Sequence, residues 1–170
     1  ASGWRIYNAS PLFNFTFPAE LTLGGWLGGA LQWHFAGMWF FGINGVVYLL
    51  INIFSGRLKR KFWPLSPREL IKDFVAALRG KLAHEDLSHY NTVQKLAYLF
   101  VMFDGIILVC SGLVVWKSVQ FPLLRELLGG YDNARFIHFY AMSGMVGFVI
   151  IHLIMVALVP KTLLAMLRGR

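Results

Sequence analysis

The sequence predicts an all-α integral membrane protein, and three observations carry that prediction. Hydrophobic residues make up 57% of the 170-residue chain and charged residues 14%, well below the roughly 25% charged residues of an average soluble domain, and the mean hydropathy is +0.59. The apolar residues gather into three runs, each long enough to supply the roughly 20 residues that a helix needs to cross a bilayer core. The basic residues lie between and after those runs rather than along them.

The runs cover about residues 31–54, 93–116 and 134–159. None alternates with period two in the manner of a barrel strand, and all are rich in Leu, Met, Phe and Gly, so they read as helices. Pro160 closes the third run, and Trp26, Trp33, Trp63 and Trp116 stand at boundaries, where amphipathic rings anchor a span in the headgroup layer. A formal charge of +8 could suggest nucleic acid, but no basic helix face or aromatic-interleaved basic patch accompanies it. Membrane topology explains the charge, and no nucleic-acid partner is expected.

Orientation follows from where the cations fall. Between Ser55 and Lys95 stand nine Lys/Arg against four acids, and the tail from Pro160 carries Lys161, Arg168 and Arg170 with no acid; both belong on the cytoplasmic side. The segment 117–133 balances Lys117 and Arg125 against Glu126 and Asp132, and residues 1–30 carry only Arg5 and Glu20, so these face outward. Within the cytoplasmic connection 55–92, "SPRELIKDFVAALRG" opens with Ser-Pro and sets Leu70, Phe74, Ala77 and Leu78 on one face. This predicts an amphipathic helix over about residues 66–80 lying at the interface. The opening stretch "ASGWRIYNASPLFNFTFP" is neither a signal peptide nor a full span and reads as the end of a helix running into an outer loop. A further upstream helix is therefore expected, which would make four spans in all.

The stretch "RFIHFYAMSGMVGFVIIHLIM" places His138 and His152 fourteen residues apart in the third run. On a helix that is about 40° short of four full turns and about 21 Å of axial rise, so the two share a face at opposite ends of the span. His34, in "LQWHFAGMW", enters the first run from the outer side by nearly the same distance as His138 enters the last. Two imidazoles at one depth, in apolar surroundings, suit the two axial faces of a six-coordinate haem iron, and polar side chains in lipid suggest function by default. Gly37 lies one turn from His34 and Gly45 eleven residues on, with Gly105 and Gly112 seven apart. Such small residues leave a gap for a flat macrocycle or let helices pack closely.

Other cofactor patterns are missing from the sequence. There is no C-x-x-C-H for covalent haem attachment, Cys110 is the single cysteine, and no His/acid spacing suits zinc or di-iron. Non-covalent, b-type haem is the group that remains. His152 has no evident partner, since His84 and His89 stand in the charged connection and read as solvated loop residues or, for His89, as a reach inward from an early helix start.

Taken together, "LQWHF", "HYNTVQK", "SGLVVWK", "RFIHF" and "IIHL" resemble the bacterial cytochrome b561 and nickel-hydrogenase b-type cytochrome superfamily over essentially the whole chain. The group includes the γ subunit of membrane formate dehydrogenases and the cytochrome b subunit of thiosulfate reductase-like enzymes. The resemblance implies one cytochrome b domain over residues 1–170: a haem-binding transmembrane helix bundle with four spans in the full family pattern and three present here. It implies two b haems, the outer on His34 and His138, the inner on His152 and a ligand from the first family span, which has no counterpart in this sequence. It further implies a quinone site near the inner haem, with Asn91 hydrogen-bonding a carbonyl and Gln94 as a second candidate; Asn91 reads equally as a helix N-cap. Arg135, three residues before His138, suits a haem propionate or a snorkelling interfacial position.

The implied role is electron transfer between the quinone pool and a periplasmic molybdenum or iron–sulfur oxidoreductase, in the bacterial inner membrane, multi-pass, with the C-terminus cytoplasmic. Two rival classes lack haem. A proton or ion translocator could use His and the intramembrane acid Asp104, but it usually shows repeats or broken helices; a structural anchor would need none of the three matched histidines. Asp104 itself reads as a protonated, hydrogen-bonded packing residue or as a proton relay, and Asn44 beside Gly45 as interhelical glue.

Overall fold

A computed structural model describes residues 1–58, 68, 71, 72, 75 and 92–158. Every regular element among the described residues is helical: α1 (Ser2–Ala9), a 3-10 turn (Ala19–Leu21), α2 (Leu27–Phe54), α3 (Thr92–Lys117), α4 (Pro122–Leu127) and α5 (Tyr131–Leu158). Three stretches, Leu27–Phe54, Val93–Lys117 and Tyr131–Ala157, are long and apolar enough to cross a membrane. The chain is thus an all-α, multi-pass membrane protein, and it divides into a unit Ala1–Phe54 and a unit Ser55–Arg170.

In the first unit, α2 runs for 28 residues without a proline or a charged side chain, so nothing interrupts the ladder or demands water. At 1.5 Å per residue its length is about 42 Å, more than the roughly 30 Å of hydrocarbon. It begins four residues ahead of the apolar run, because the Trp26 carbonyl already accepts the Ala30 N–H at 2.9 Å and a helix once nucleated propagates cheaply. The residues before it fold on themselves. Asn8 pins Phe17 through two bonds, its Nδ2 donating to the Phe17 carbonyl at 2.8 Å and its Oδ1 accepting the Phe17 N–H at 2.9 Å. Trp4 stacks on Phe17 at 5.0 Å between ring centroids, and Tyr7 meets Phe15 and Phe17 at 5.3 and 5.4 Å. α1 packs on α2, fastened to an aromatic loop at its back.

In the second unit α3 and α5 pair along their lengths. Residues that meet run in opposite order, Ser111 with His138, Asp104 with Gly144 and Phe100 with Phe148, so the helices are antiparallel. Val114, Ala134, Ser111, Ala141, Asp104 and Gly105 are the buried residues of this pair among the described residues, and most are small, as close approach of membrane helices requires. The reversal between them is made by α4 and two glycines. Gly130 donates to the Arg125 carbonyl at 2.8 Å and Gly129 to the Glu126 carbonyl at 3.0 Å, the paired bonds of a Schellman cap. Gly129 sits at φ 75 and Gly130 at φ 98, left-handed values that a Cβ disfavours. A Cβ on Gly129 would also lie 2.6 Å from Asn133 Nδ2, the group that donates back to the Gly129 carbonyl at 3.0 Å.

Of the expected amphipathic helix over residues 66–80, Arg68, Ile71, Lys72 and Val75 are described, each in helical conformation. Leu70, Phe74, Ala77 and Leu78, the residues of its expected face, lie outside the described residues, as do His84, His89, Asn91, Trp63 and the tail from Val159.

Candidate functional site

His34 is the eighth residue of α2, counted from Leu27, and His138 the eighth of α5, counted from Tyr131. Each imidazole is partly buried, and in each unit a glycine from a neighbouring helix lies under the ring. A Cβ placed on Gly3 of α1 would stand 3.6 Å from His34 Cε1 and 3.8 Å from Nδ1. On Gly112 of α3 it would stand 3.1 Å from His138 Cε1 and 3.5 Å from Nδ1. Any larger residue would displace the His138 ring, and ordinary contact is reached already at His34.

His138 has a second fixed neighbour. Its Nδ1 lies 3.0 Å from Ser111 Oγ, a fully buried hydroxyl that also donates back to the Ile107 carbonyl at 2.6 Å, with the Leu108 carbonyl at 3.3 Å. Orientation of a ligating histidine by a hydrogen bond to its other ring nitrogen is a general device of metal sites. Farther along α5, His152 is exposed and stacks on Phe148, the rings 5.9 Å apart and inclined by 13°.

The other residues singled out by the sequence fall as follows. Gly37 and Gly45 lie on α2, and within the first unit no described residue comes within 4 Å of an added Cβ at either. Arg135 is half-buried one turn before His138 on α5, and Gln94 is exposed near the start of α3. Asn44 Nδ2 donates at 2.8 Å to the Phe40 carbonyl one turn back in its own helix, the local bond that short polar side chains make in helices. Asp104 is 6% exposed and faces Gly144, where a Cβ would lie 3.4 Å from its Oδ1. The expectation that it hydrogen-bonds another helix is not met at Oδ2, which is buried with no hydrogen-bond partner among the described residues. Among the described residues no three His, Cys, Asp or Glu side chains gather to hold a metal ion; bis-histidine haem ligation requires only two imidazoles. Within the second unit an imidazole on an apolar helix, with its Nδ1 held by Ser111, has the donor chemistry that a haem iron takes.

Long apolar helices that carry imidazoles place the chain in a class of membrane protein to which b-type membrane cytochromes belong. The profile of the family described as prokaryotic cytochrome b561 matches residues 1–169, and the chain belongs to that family. It is 65% identical over 168 residues to a protein of Azospira oryzae named "Putative protein-methionine-sulfoxide reductase subunit YedZ1", covering 99% of this chain and 85% of that relative. No solved structure matches the chain. The resemblance drawn from the histidine and "HYNTVQK" motifs thus holds at the level of the family.

Sequence reasoning named His34, His138 and His152 but missed two contacts. Gly3 sits in a stretch that reads as the end of a helix running into an outer loop, and only the docking of α1 on α2 brings it under His34. Ser111 stands inside the quoted "SGLVVWK", seven residues after Asp104 and so on the same helical face; that spacing was the available signal.

Proposed function

We propose that this protein is the membrane-embedded, di-haem b-type cytochrome subunit of a redox complex, passing electrons between the quinone pool and a periplasmic oxidoreductase. The observation that carries the reading is the setting of His138: an imidazole on a membrane helix, fixed through Nδ1 and seated on Gly112, in a chain of the cytochrome b561 family. Bound haem supplies reversible one-electron chemistry at iron. His34 and His138 are the ligands of the outer haem, and His152 holds the inner one together with a ligand from another segment. Gly37 and Gly45 give the macrocycle room along α2, and Arg135 neutralises a propionate. At the cytoplasmic side Asn91 donates to a quinone carbonyl, with Gln94 beside it, and protons released on quinol oxidation leave there. The hydrocarbon around α2, α3 and α5 excludes water from the path.

The partner is a periplasmic molybdenum or iron–sulfur oxidoreductase. The printed name of the Azospira relative favours one that reduces methionine sulfoxide, for which two electrons and two protons give methionine and water. This points away from formate dehydrogenase and thiosulfate reductase as the most apt comparison. The protein lies in the bacterial inner membrane with its C-terminus cytoplasmic.

A pyridine haemochrome spectrum with haem-to-protein stoichiometry tests the reading. The expected result is b haem, with two per chain in the protein as it stands in its native membrane. Absence of any haem absorbance there would return the histidines to an ion-translocating or purely anchoring subunit.

A further inference from the structure

Ser111 is fully buried and has one proton to give. Its Oγ is 2.6 Å from the Ile107 carbonyl oxygen, a separation that two oxygens hold only with a hydrogen between them. A carbonyl has none to offer, so the hydroxyl proton is committed to Ile107. The same Oγ is 3.0 Å from His138 Nδ1. With its own proton spent, the serine can only accept there, and the proton in that bond belongs to Nδ1. The imidazole is therefore the Nδ1–H tautomer, with its lone pair on Nε2.

Gly112, the next residue of α3, gives the ring its seat: a Cβ there would stand 3.1 Å from Cε1, so the imidazole keeps this position against α3 because the residue is glycine. Two consecutive residues of α3 thus bear on one histidine of α5, Ser111 on its tautomer and Gly112 on the room for its ring.

We propose that Ser111 is a positioning residue for the haem site: by accepting the Nδ1 proton of His138 it holds Nε2 as the iron ligand and, by drawing that proton toward oxygen, makes the imidazole a stronger donor that favours ferric iron. The inference rests on the reading of His138 as a haem ligand. A hydrogen-bonded ligand histidine is more basic than an unbonded one, so loss of the serine oxygen weakens the donor and lowers the relative stability of the ferric state.

The test is redox titration of membranes carrying the full chain with Ser111→Ala, with Ser111→Thr as the conservative variant and the second haem as internal reference. Ser111→Ala is expected to keep its haem and to raise the midpoint potential of one haem only, by roughly a tenfold change in the ferric-to-ferrous ratio, about 59 mV for one electron; Ser111→Thr is expected to restore it. Pulsed electron paramagnetic resonance of the ferric wild type, reading the remote imidazole nitrogen and its exchangeable proton, is expected to show a hydrogen-bonded N–H. Full haem content in Ser111→Ala with an unchanged potential overturns the proposal. Should Ser111→Ala lose its haem, the wild-type resonance decides, and a remote nitrogen without a hydrogen-bonded proton overturns it. His138→Ala separates the two levels of inference. If that variant keeps both haems low-spin, the ligand reading falls and the role of Ser111 with it. If it loses a haem while Ser111→Ala shifts nothing, only the role of Ser111 falls.

Discussion

His34 and His138 occupy the same position in their helices, and each has a glycine of another helix beneath its ring, but the two seats differ in closeness. At His138 the glycine is within 3.1 Å of where a methyl would go and the preceding residue grips Nδ1; at His34 the corresponding approach is 3.6 Å. The neighbours also differ in kind. Ser111 and Gly112 belong to a long apolar helix paired with α5 along its length, whereas Gly3 belongs to an eight-residue helix secured by aromatic stacking and by Asn8. At His138 both the bond to Nδ1 and the close glycine come from α3; at His34 the glycine comes from α1 at ordinary contact distance. The difference teaches that a side chain added under His138 meets less room than one added under His34.

Five substitutions break or sharpen that contrast. The largest effect is expected from removing either donor: His138→Ala and His34→Ala should each abolish the outer haem, a loss beyond the roughly 10–100-fold that removal of a supporting residue costs a metal site, read as haem per protein in purified membranes. If only one of them loses haem, the two histidines do not share an iron. Next comes Gly112→Ala. A methyl at that distance overpacks the ring, at about 1–3 kcal/mol, and should weaken haem retention on the order of tenfold and raise the high-spin fraction in the absorbance spectrum. Gly129→Ala leaves the site untouched but forces a side chain into left-handed backbone, at about 1–2 kcal/mol. It should lower the thermal midpoint in detergent while the spectrum of the folded fraction stays the same. The smallest effect is expected from Gly3→Ala, where the contact is ordinary and replacing glycine inside a helix returns about 0.5–1 kcal/mol. Haem content and spectrum should match the wild type, and a spectral change as large as that of Gly112→Ala would show the supposed asymmetry to be wrong.

How much of this was legible in the sequence depended on the range of the physics involved. The three spans were, because solvation by lipid acts on composition alone, and runs such as 93–116 require no knowledge of neighbours. Their starts were less so. α2 begins at Leu27 and α5 at Tyr131, several residues ahead of the apolar cores, since helix propagation continues into the headgroup zone where hydropathy is silent. The histidines were legible because an imidazole in hydrocarbon is costly enough to stand out and its spacing can be converted into depth. Ser111 was not, because a serine in a membrane helix is commonplace and becomes informative only once its face is known to meet His138. The bond of Asn44 Nδ2 to the Phe40 carbonyl in its own helix was likewise one of several partners that the sequence leaves open. Asn91 lies outside the described residues, and its quinone role stands as a proposal on the family pattern.

The heptad between Asp104 and Ser111 has a bearing on how the α3–α5 pair finds its alignment. Both side chains are buried against α5, one beside Gly144 and the other on His138. If α3 slipped by a single residue it would turn about 100°, carrying the acid and the hydroxyl together toward lipid tails. A carboxylate at that depth costs about 2.5–3.5 kcal/mol on insertion scales, while uniformly apolar helices would slide past one another almost freely. The two polar groups thus act as teeth in a thread and favour the one pitch at which Ser111 meets His138 and Asp104 meets Gly144.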